Sequence, residues 1–191
     1  MNPNYVDLSK QPGTEGREDG QAFWHTFFGG QFSAATILDV GAGLGHSKMR
    51  LARGRWGMNR VTTQDIGPDL EVDVTLAIDH IAGNSYDVVT AFDVIEHVDN
   101  AIPFLAHMAW IAKEAVVIST PNFNVSRCAN KYHAREYTPV QLVALFEEFP
   151  FARVRWFSRD TRAPGSIIME YEKLSEFEKT PDNTLAMLGT L

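Results

Sequence analysis

Ile37-Leu38-Asp39-Val40-Gly41-Ala42-Gly43-Leu44-Gly45 is the stretch whose reading decides the fold. The run from Thr36 to Val40 has the apolar character of a buried parallel strand, interrupted by a single acid, Asp39. The chain then breaks into glycines at alternate positions. Glycine adopts left-handed backbone without a Cβ penalty, so such a loop can turn sharply and let a ligand approach the main chain. The spacing separates ligand classes. A dinucleotide fingerprint, G-x-G-x-x-G, needs its third glycine at position 46, which here is His46. This chain has G-x-G-x-G, with an acid two residues before the first glycine.

The elements downstream suit a chain of βαβ units. Leu44 to Arg53 reads as the helix opened by the glycine loop, its free N–H groups facing the crevice. Arg60 to Gln64 reads as a second strand with Asp65 and Ile66 just after it, about twenty residues past the loop, where a carboxylate can reach ribose hydroxyls. Val72-Asp73-Val74 follows, then a strand over Tyr86 to Ala91 that runs into Phe92-Asp93-Val94-Ile95-Glu96-His97-Val98. Glu114 to Thr120 is a further strand, ending in Pro121-Asn122. Singly, Asp39 fits a buried cap and Asp65 and Asp73 fit solvated loop acids. Together they stand at three strand ends, where open α/β sheets bind ligands.

In these motifs and their order the chain resembles the class I, seven-stranded S-adenosylmethionine-dependent methyltransferases, small-molecule branch, over residues 34–172. The resemblance implies an α/β fold: a three-layer Rossmann-like sandwich with a mostly parallel seven-stranded sheet and an antiparallel C-terminal strand pair. It implies S-adenosylmethionine as cofactor and S-adenosylhomocysteine as product. In that family the loop matching Gly41, Ala42, Gly43 and Gly45 packs on the methionine part, and the acid matching Asp39 helps hold its ammonium group. Asp65, with Ile66 beside it, matches the ribose acid, and Asp73 with Val74 matches the pair flanking adenine. Phe92 and Asp93 open the segment that resembles the strand-four signature and complete the expected cofactor set.

Methyl transfer from a sulfonium is an in-line displacement, so the protein chiefly aligns the reactants and excludes water. A hydroxyl acceptor must also lose a proton, which suits histidine. His97 follows Glu96 just beyond the strand that ends the cofactor crevice. His133 lies in His133-Ala134-Arg135-Glu136-Tyr137-Thr138, similar to an H-x-R-E-[FYW]-T stretch that borders the acceptor pocket in small-molecule methyltransferases. These two are the expected catalytic residues, with loop-fixing hydrogen bonds as the alternative role for each. His25 is expected to be satisfied locally. The N/D-P-P-Y tetrapeptide of base and glutamine amino-methyltransferases is missing after Phe92, so that chemistry is not expected. The reading is O-methylation of a small-molecule or glycan-like acceptor. The alternatives are a non-catalytic S-adenosylmethionine-binding protein, or a methyltransferase acting on RNA or a protein side chain.

The rest of the chain bounds this reading. Its 191 residues, 45% hydrophobic and 21% charged, suit one globular domain. Net charge is −7, which gives no support for a nucleic-acid partner. No metal-ligand spacing is evident, the single cysteine is Cys128, and no apolar run is long enough to span a bilayer, so cytoplasm is the expected location. Residues 1–33 read as an N-terminal arm, with an aromatic helix over Gln21 to Phe32 that either covers the site as a lid or packs on the sheet. Asp99 to Ala112 reads as a helix with Ile102, Leu105, Ala109 and Ala112 inward. Thr138-Pro139-Val140-Gln141 is a helix start with a capping box. Phe151 to Ser158 and Ser166 to Tyr171 read as the antiparallel pair around an Arg-Ala-Pro-Gly turn. Residues 173–191 read as a polar tail, helical or disordered.

Overall fold

The computed structural model describes residues 15–53, 55–67, 70–160, 167–171 and 184–191. Helix α1 (Glu15–Gln31) leads into β1 (Ile37–Val40), α2 (Ser47–Leu51), β2 (Val61–Gln64), β3 (Tyr86–Phe92), α3 (Ala101–Ile111) and β4 (Ala112–Pro121). Then come α4 (Phe123–Ser126), α5 (Pro139–Glu147), β5 (Arg153–Asp160), β6 (Ile167–Tyr171) and β7 (Thr184–Thr190). The seven strands form one sheet in the order β2-β1-β3-β4-β7-β5-β6. The first four are parallel neighbours, while β7 runs antiparallel to both β4 and β5, and β6 antiparallel to β5. The expected fold class is found.

Strand alternation sorts the core into two layers. Leu38, Val40, Val89, Ala91, Val116, Ile118, Leu185 and Met187 pack against α3 and α5 through Leu105, Met108, Leu142 and Phe146. Ile37, Val88, Val117, Ala186 and Leu188 face the other way, onto Trp24 and Phe28 of α1 and Leu51 of α2. Successive side chains of a strand point to opposite faces, so runs buried on both sides read as continuous apolar sequence.

Helix α1 belongs to this core. Trp24 and Phe28 are fully buried, and the Phe28 ring lies 5.6 Å from Phe157 and 6.0 Å from Phe92. Of the two roles expected for the arm, its described residues take up sheet packing. Helix α5 begins as expected: Thr138 accepts from the Gln141 N–H and the Gln141 side chain accepts from the Thr138 N–H.

Three expectations are corrected. The helix after the glycine loop is one turn, Ser47–Leu51, because the loop's left-handed residues run to Gly45. Of the face expected to point inward from α3, Leu105 and Ala112 are buried, but Ala101, Met108 and Ile111 complete it in place of Ile102, which is 53% exposed. The C-terminal stretch is no polar tail from 184 onward: Thr184–Thr190 is β7, inserted between β4 and β5 and setting the β5–β6 pair one position outward. The domain therefore extends past residue 172. The Arg-Ala-Pro-Gly turn and residues 173–183 lie outside the described residues. Among the described residues, no helix is long and apolar enough to cross a membrane.

Candidate functional site

The carboxyl ends of β1, β2, β3 and β4 lie side by side, and the residues expected to hold a cofactor cluster at the first three. Gly41, Gly43 and Gly45 all have positive φ (68°, 56° and 72°). A Cβ on Gly41 would stand 2.5 Å from a Val94 methyl, whereas one on Gly43 would meet nothing within 4 Å. Gly41 thus closes the loop against the chain after β3, and Gly43 presents bare backbone to an open side. The Gly43 N–H donates to Asp65 Oδ2 at 2.9 Å, and the Ala42 N–H to the Gln64 carbonyl at 3.0 Å.

Asp65 also accepts from the N–H groups of Ile66 and Gly67 at Oδ1, at 2.7 and 3.1 Å. A carboxylate has about four lone-pair directions, so one further donor can be added on Oδ2 without breaking a loop contact. Ile66 is left 45% exposed at the same strand end. Asp39 is nearly sealed, 2% exposed, with the Thr90 hydroxyl donating to Oδ1 at 2.6 Å. Burial raises its carboxyl to about 6 against the pull of the Ser47 and Thr90 hydroxyls, and Asp65 nearby adds to the rise. Buried His25 of α1, its ring 4.6 Å from Phe92, carries an Nδ1 with no hydrogen-bond partner, which corrects the expectation of local satisfaction. Burial, with Arg50 nearby, lowers it to about 3, so it is a neutral imidazole.

Asp73 is turned elsewhere. Its carboxylate takes the Lys48 ammonium at 2.6 Å and the Thr63 N–H and hydroxyl at 2.8 and 2.9 Å, tying the next segment to β2. Val74 pairs with Gln64 as an isolated parallel bridge, and its carbonyl accepts from the Asp65 N–H. Phe92 is buried on the α1 side, and Asp93, at φ 54°, exchanges hydrogen bonds with Ser119 at the end of β4.

The second cluster forms around the 3-10 turn Ile95–His97 and the loop after α4. Glu96 is fully buried; its carbonyl accepts from the N–H groups of Ala134 and Arg135, and its Oε2 accepts from Thr120 at 3.2 Å. These bonds bring the His133 ring to 4.9 Å from that of His97, edge to face. Sequence reasoning passed over Glu96 and Glu136. Glu136 accepts from Ser126 Oγ, from the Cys128 N–H at 2.9 Å and from His133 Nδ1 at 2.5 Å. Burial pushes its carboxyl up, yet the bonds from Ser126, His133 and Cys128 outweigh this and hold it below the usual range. The available signal was its place in the H-x-R-E segment. The sequence showed no metal-ligand spacing; the fold nonetheless brings ligand atoms of Glu96, His97 and His133 within 4.8 Å of one another.

A family model described as "Methyltransferase domain" matches residues 17–161, most of the chain. The chain belongs to this methyltransferase family. Solved methyltransferases share its fold. One is a SAM-dependent methyltransferase from Archaeoglobus fulgidus, 16% identical, covering 92% of this chain and 94% of its own, with a TM-score of 0.68. Another, a possible histamine N-methyltransferase from Thermotoga maritima, is 13% identical, with coverage of 91% and 95% and a TM-score of 0.64. The magnesium protoporphyrin IX methyltransferase from Synechocystis PCC 6803, solved with SAH, is 14% identical, with coverage of 97% and 88% and a TM-score of 0.60. Among proteins of curated function, none matches the methyltransferase by sequence. The acceptors named for the Thermotoga and Synechocystis proteins differ, so the shared fold leaves the acceptor open.

Proposed function

We propose that this methyltransferase uses S-adenosylmethionine to methylate a hydroxyl oxygen on a small-molecule or glycan-like acceptor. The observation that carries the cofactor reading is Asp39, sealed behind three left-handed glycines with its carboxyl raised to about 6. A cationic ammonium group beside a buried carboxylate offsets the cost of keeping it charged. Gly41, Ala42, Gly43 and Gly45 hold the methionine end, and Asp65 accepts one ribose hydroxyl on Oδ2. Ile66 and Val74 flank adenine, while Asp73 anchors the segment that carries Val74. Phe92 and Asp93 form the floor near the methyl group. Bound there, the cofactor supplies an electrophilic methyl on a cationic sulfur, and the acceptor oxygen forms the new bond as the carbon–sulfur pair stays on sulfur.

The chain itself orients the acceptor, excludes water and loosens the acceptor's proton. The acceptor hydroxyl faces His97 and His133, the two groups through which the protein meets that proton. Tyr132 and the basic side chains packed on aromatic rings nearby, Lys131 on Tyr132 and Arg135 on Tyr137, border the same place. Calorimetric titration with S-adenosylmethionine and S-adenosylhomocysteine tests the cofactor, with NAD as control; binding of both and not of NAD is expected. Methyl-labelled cofactor is then offered to hydroxyl-bearing phenols and sugars beside matched amines. Label entering hydroxyl compounds supports the reading, and label entering amines alone overturns the O-methylation part of it.

A further inference from the structure

The way the two histidines are held says more than their proximity. His97 Nδ1 lies 3.0 Å from the carbonyl of Tyr132, and a carbonyl only accepts, so Nδ1 carries the proton and Nε2 the lone pair. His133 Nδ1 lies 2.5 Å from Glu136 Oε1, which fixes the same tautomer. Its Nε2 meets the side-chain amide of Asn130 at 3.0 Å. That amide is oriented by the Tyr132 N–H on Asn130 Oδ1 at 3.1 Å, so its NH2 end faces the imidazole lone pair. With Nδ1–H tied to a carbonyl in one case and a carboxylate in the other, Nε2 is the nitrogen through which each imidazole can accept a donor or a cation, and the ligand atoms of both lie within 4.8 Å of those of the buried Glu96. Histidines that bind metals are held in this way, the outer hydrogen bond fixing the tautomer and raising the ligand's basicity.

We propose that Glu96, His97 and His133 form a site for a divalent first-row transition cation, and that the cation coordinates the acceptor hydroxyl. Two imidazoles and one carboxylate favour manganese, iron, cobalt or zinc over magnesium, which prefers an all-oxygen shell. Three protein ligands leave positions open for an acceptor oxygen. Ligand atoms about 2.1 Å from one ion stand roughly 3–3.5 Å apart. The present spread of up to 4.8 Å must therefore contract. The His133 ring makes that contraction by exchanging its Asn130 contact for the cation, its Nδ1–H staying on Glu136. Coordination lowers the hydroxyl's pKa: the O–H bond breaks, its electron pair stays on oxygen, and the proton passes to water, so the two histidines act on it through the cation and not as bases. The role given to the cation rests on the methyl-transfer reading; the site itself does not.

The test is titration of the full-length, metal-stripped protein with Co2+, followed by visible d–d absorption and by calorimetry, with Mg2+ as control. One Co2+ per chain is expected, with Mg2+ bound at least about tenfold more weakly. His97→Ala should lower Co2+ affinity by at least about tenfold, and Glu136→Gln, behind His133, by about tenfold. Affinity for S-adenosylhomocysteine should be unchanged in both. Absence of saturable Co2+ binding by the wild-type protein overturns the site, as does Co2+ binding that His97→Ala leaves intact. The wild-type titration decides even if a variant fails to fold. S-adenosylhomocysteine binding without Co2+ binding sinks the cation site alone; the converse sinks the methyl-transfer reading and spares the site.

Discussion

Asp39 and Glu136 are both buried carboxylates at the same crevice, and they are treated in opposite ways. Asp39 has only the hydroxyls of Thr90 and Ser47 against its burial, and its carboxyl is raised to about 6. Glu136 accepts from Ser126, Cys128 and His133 and is held below its ordinary range despite burial. The half of the site built on β1 keeps polar groups under-satisfied, His25 Nδ1 among them, as a binding surface waiting for a charged ligand would. The half built on the 122–138 loop is satisfied internally and so holds its histidines in place before any acceptor arrives. One half gains stability from its ligand, and the other spends its bonds on geometry.

The largest effect should follow from breaking the satisfied half. Glu136→Ala leaves the Cys128 N–H, the Ser126 hydroxyl and His133 Nδ1 without their acceptor, at left-handed backbone (Arg127 and Cys128, φ 53° and 54°) that those bonds hold. A loss of about 3 kcal/mol in urea-denaturation stability is expected. A loss below about 1 kcal/mol would mean that the loop is held by other contacts and the contrast with Asp39 is spurious.

The under-satisfied half is tested by pH. Asp39 has a folded-state pKa of about 6, above the ordinary 3.8. Its contribution is fully present below pH 3.8 and is lost as pH rises through 6, about 3 kcal/mol in all. His25 runs the other way: its folded value of about 3 lies below the ordinary 6.5, so its contribution is present above pH 6.5 and lost as pH falls. Between pH 4 and 6 the two slopes oppose. Relative to the parent protein, His25→Phe should lose stability as pH rises from 4 to 6, and Asp39→Asn should gain it. Thermal unfolding across that range reads both, and slopes of the same sign would refute the opposition.

The same division governs what the sequence could reveal. The half at β1 is local: Asp39, the glycines and Asp65 are brought together by strand, turn and strand within one βαβ unit, so pattern sufficed to place them at one end of the sheet. The capping box at Thr138 and Gln141 was legible for the same reason. The half around His97 and His133 is assembled across distance, the two rings meeting where the Glu96 carbonyl captures the N–H groups of Ala134 and Arg135. Spacing carries no trace of that. The inward face of α3 was misjudged because Ala101 to Ile111 is apolar nearly all round, leaving the helical phase to be set by the sheet. Strand β7 was missed because polar residues 173–183 precede it. Yet Leu185-Ala186-Met187-Leu188 is a short continuous apolar run, as a strand buried on both faces must be.

The smallest expected change in stability separates binding from folding within the glycine loop itself. Gly41 and Gly43 share a left-handed backbone, so alanine at either site carries a conformational cost of about 1–2 kcal/mol. They differ in what the new methyl group meets. At Gly41 it strikes Val94 at 2.5 Å, so folding suffers further; at Gly43 it projects into open space. Gly43→Ala should therefore cost only the conformational term in urea denaturation. It should also weaken S-adenosylhomocysteine binding by tenfold or more, because the methyl occupies the side on which the ligand meets bare backbone. Gly41→Ala should lose more stability than Gly43→Ala. Undiminished binding by a folded Gly43→Ala protein would move the cofactor off this loop, and with it the proposed reason for burying Asp39 behind it.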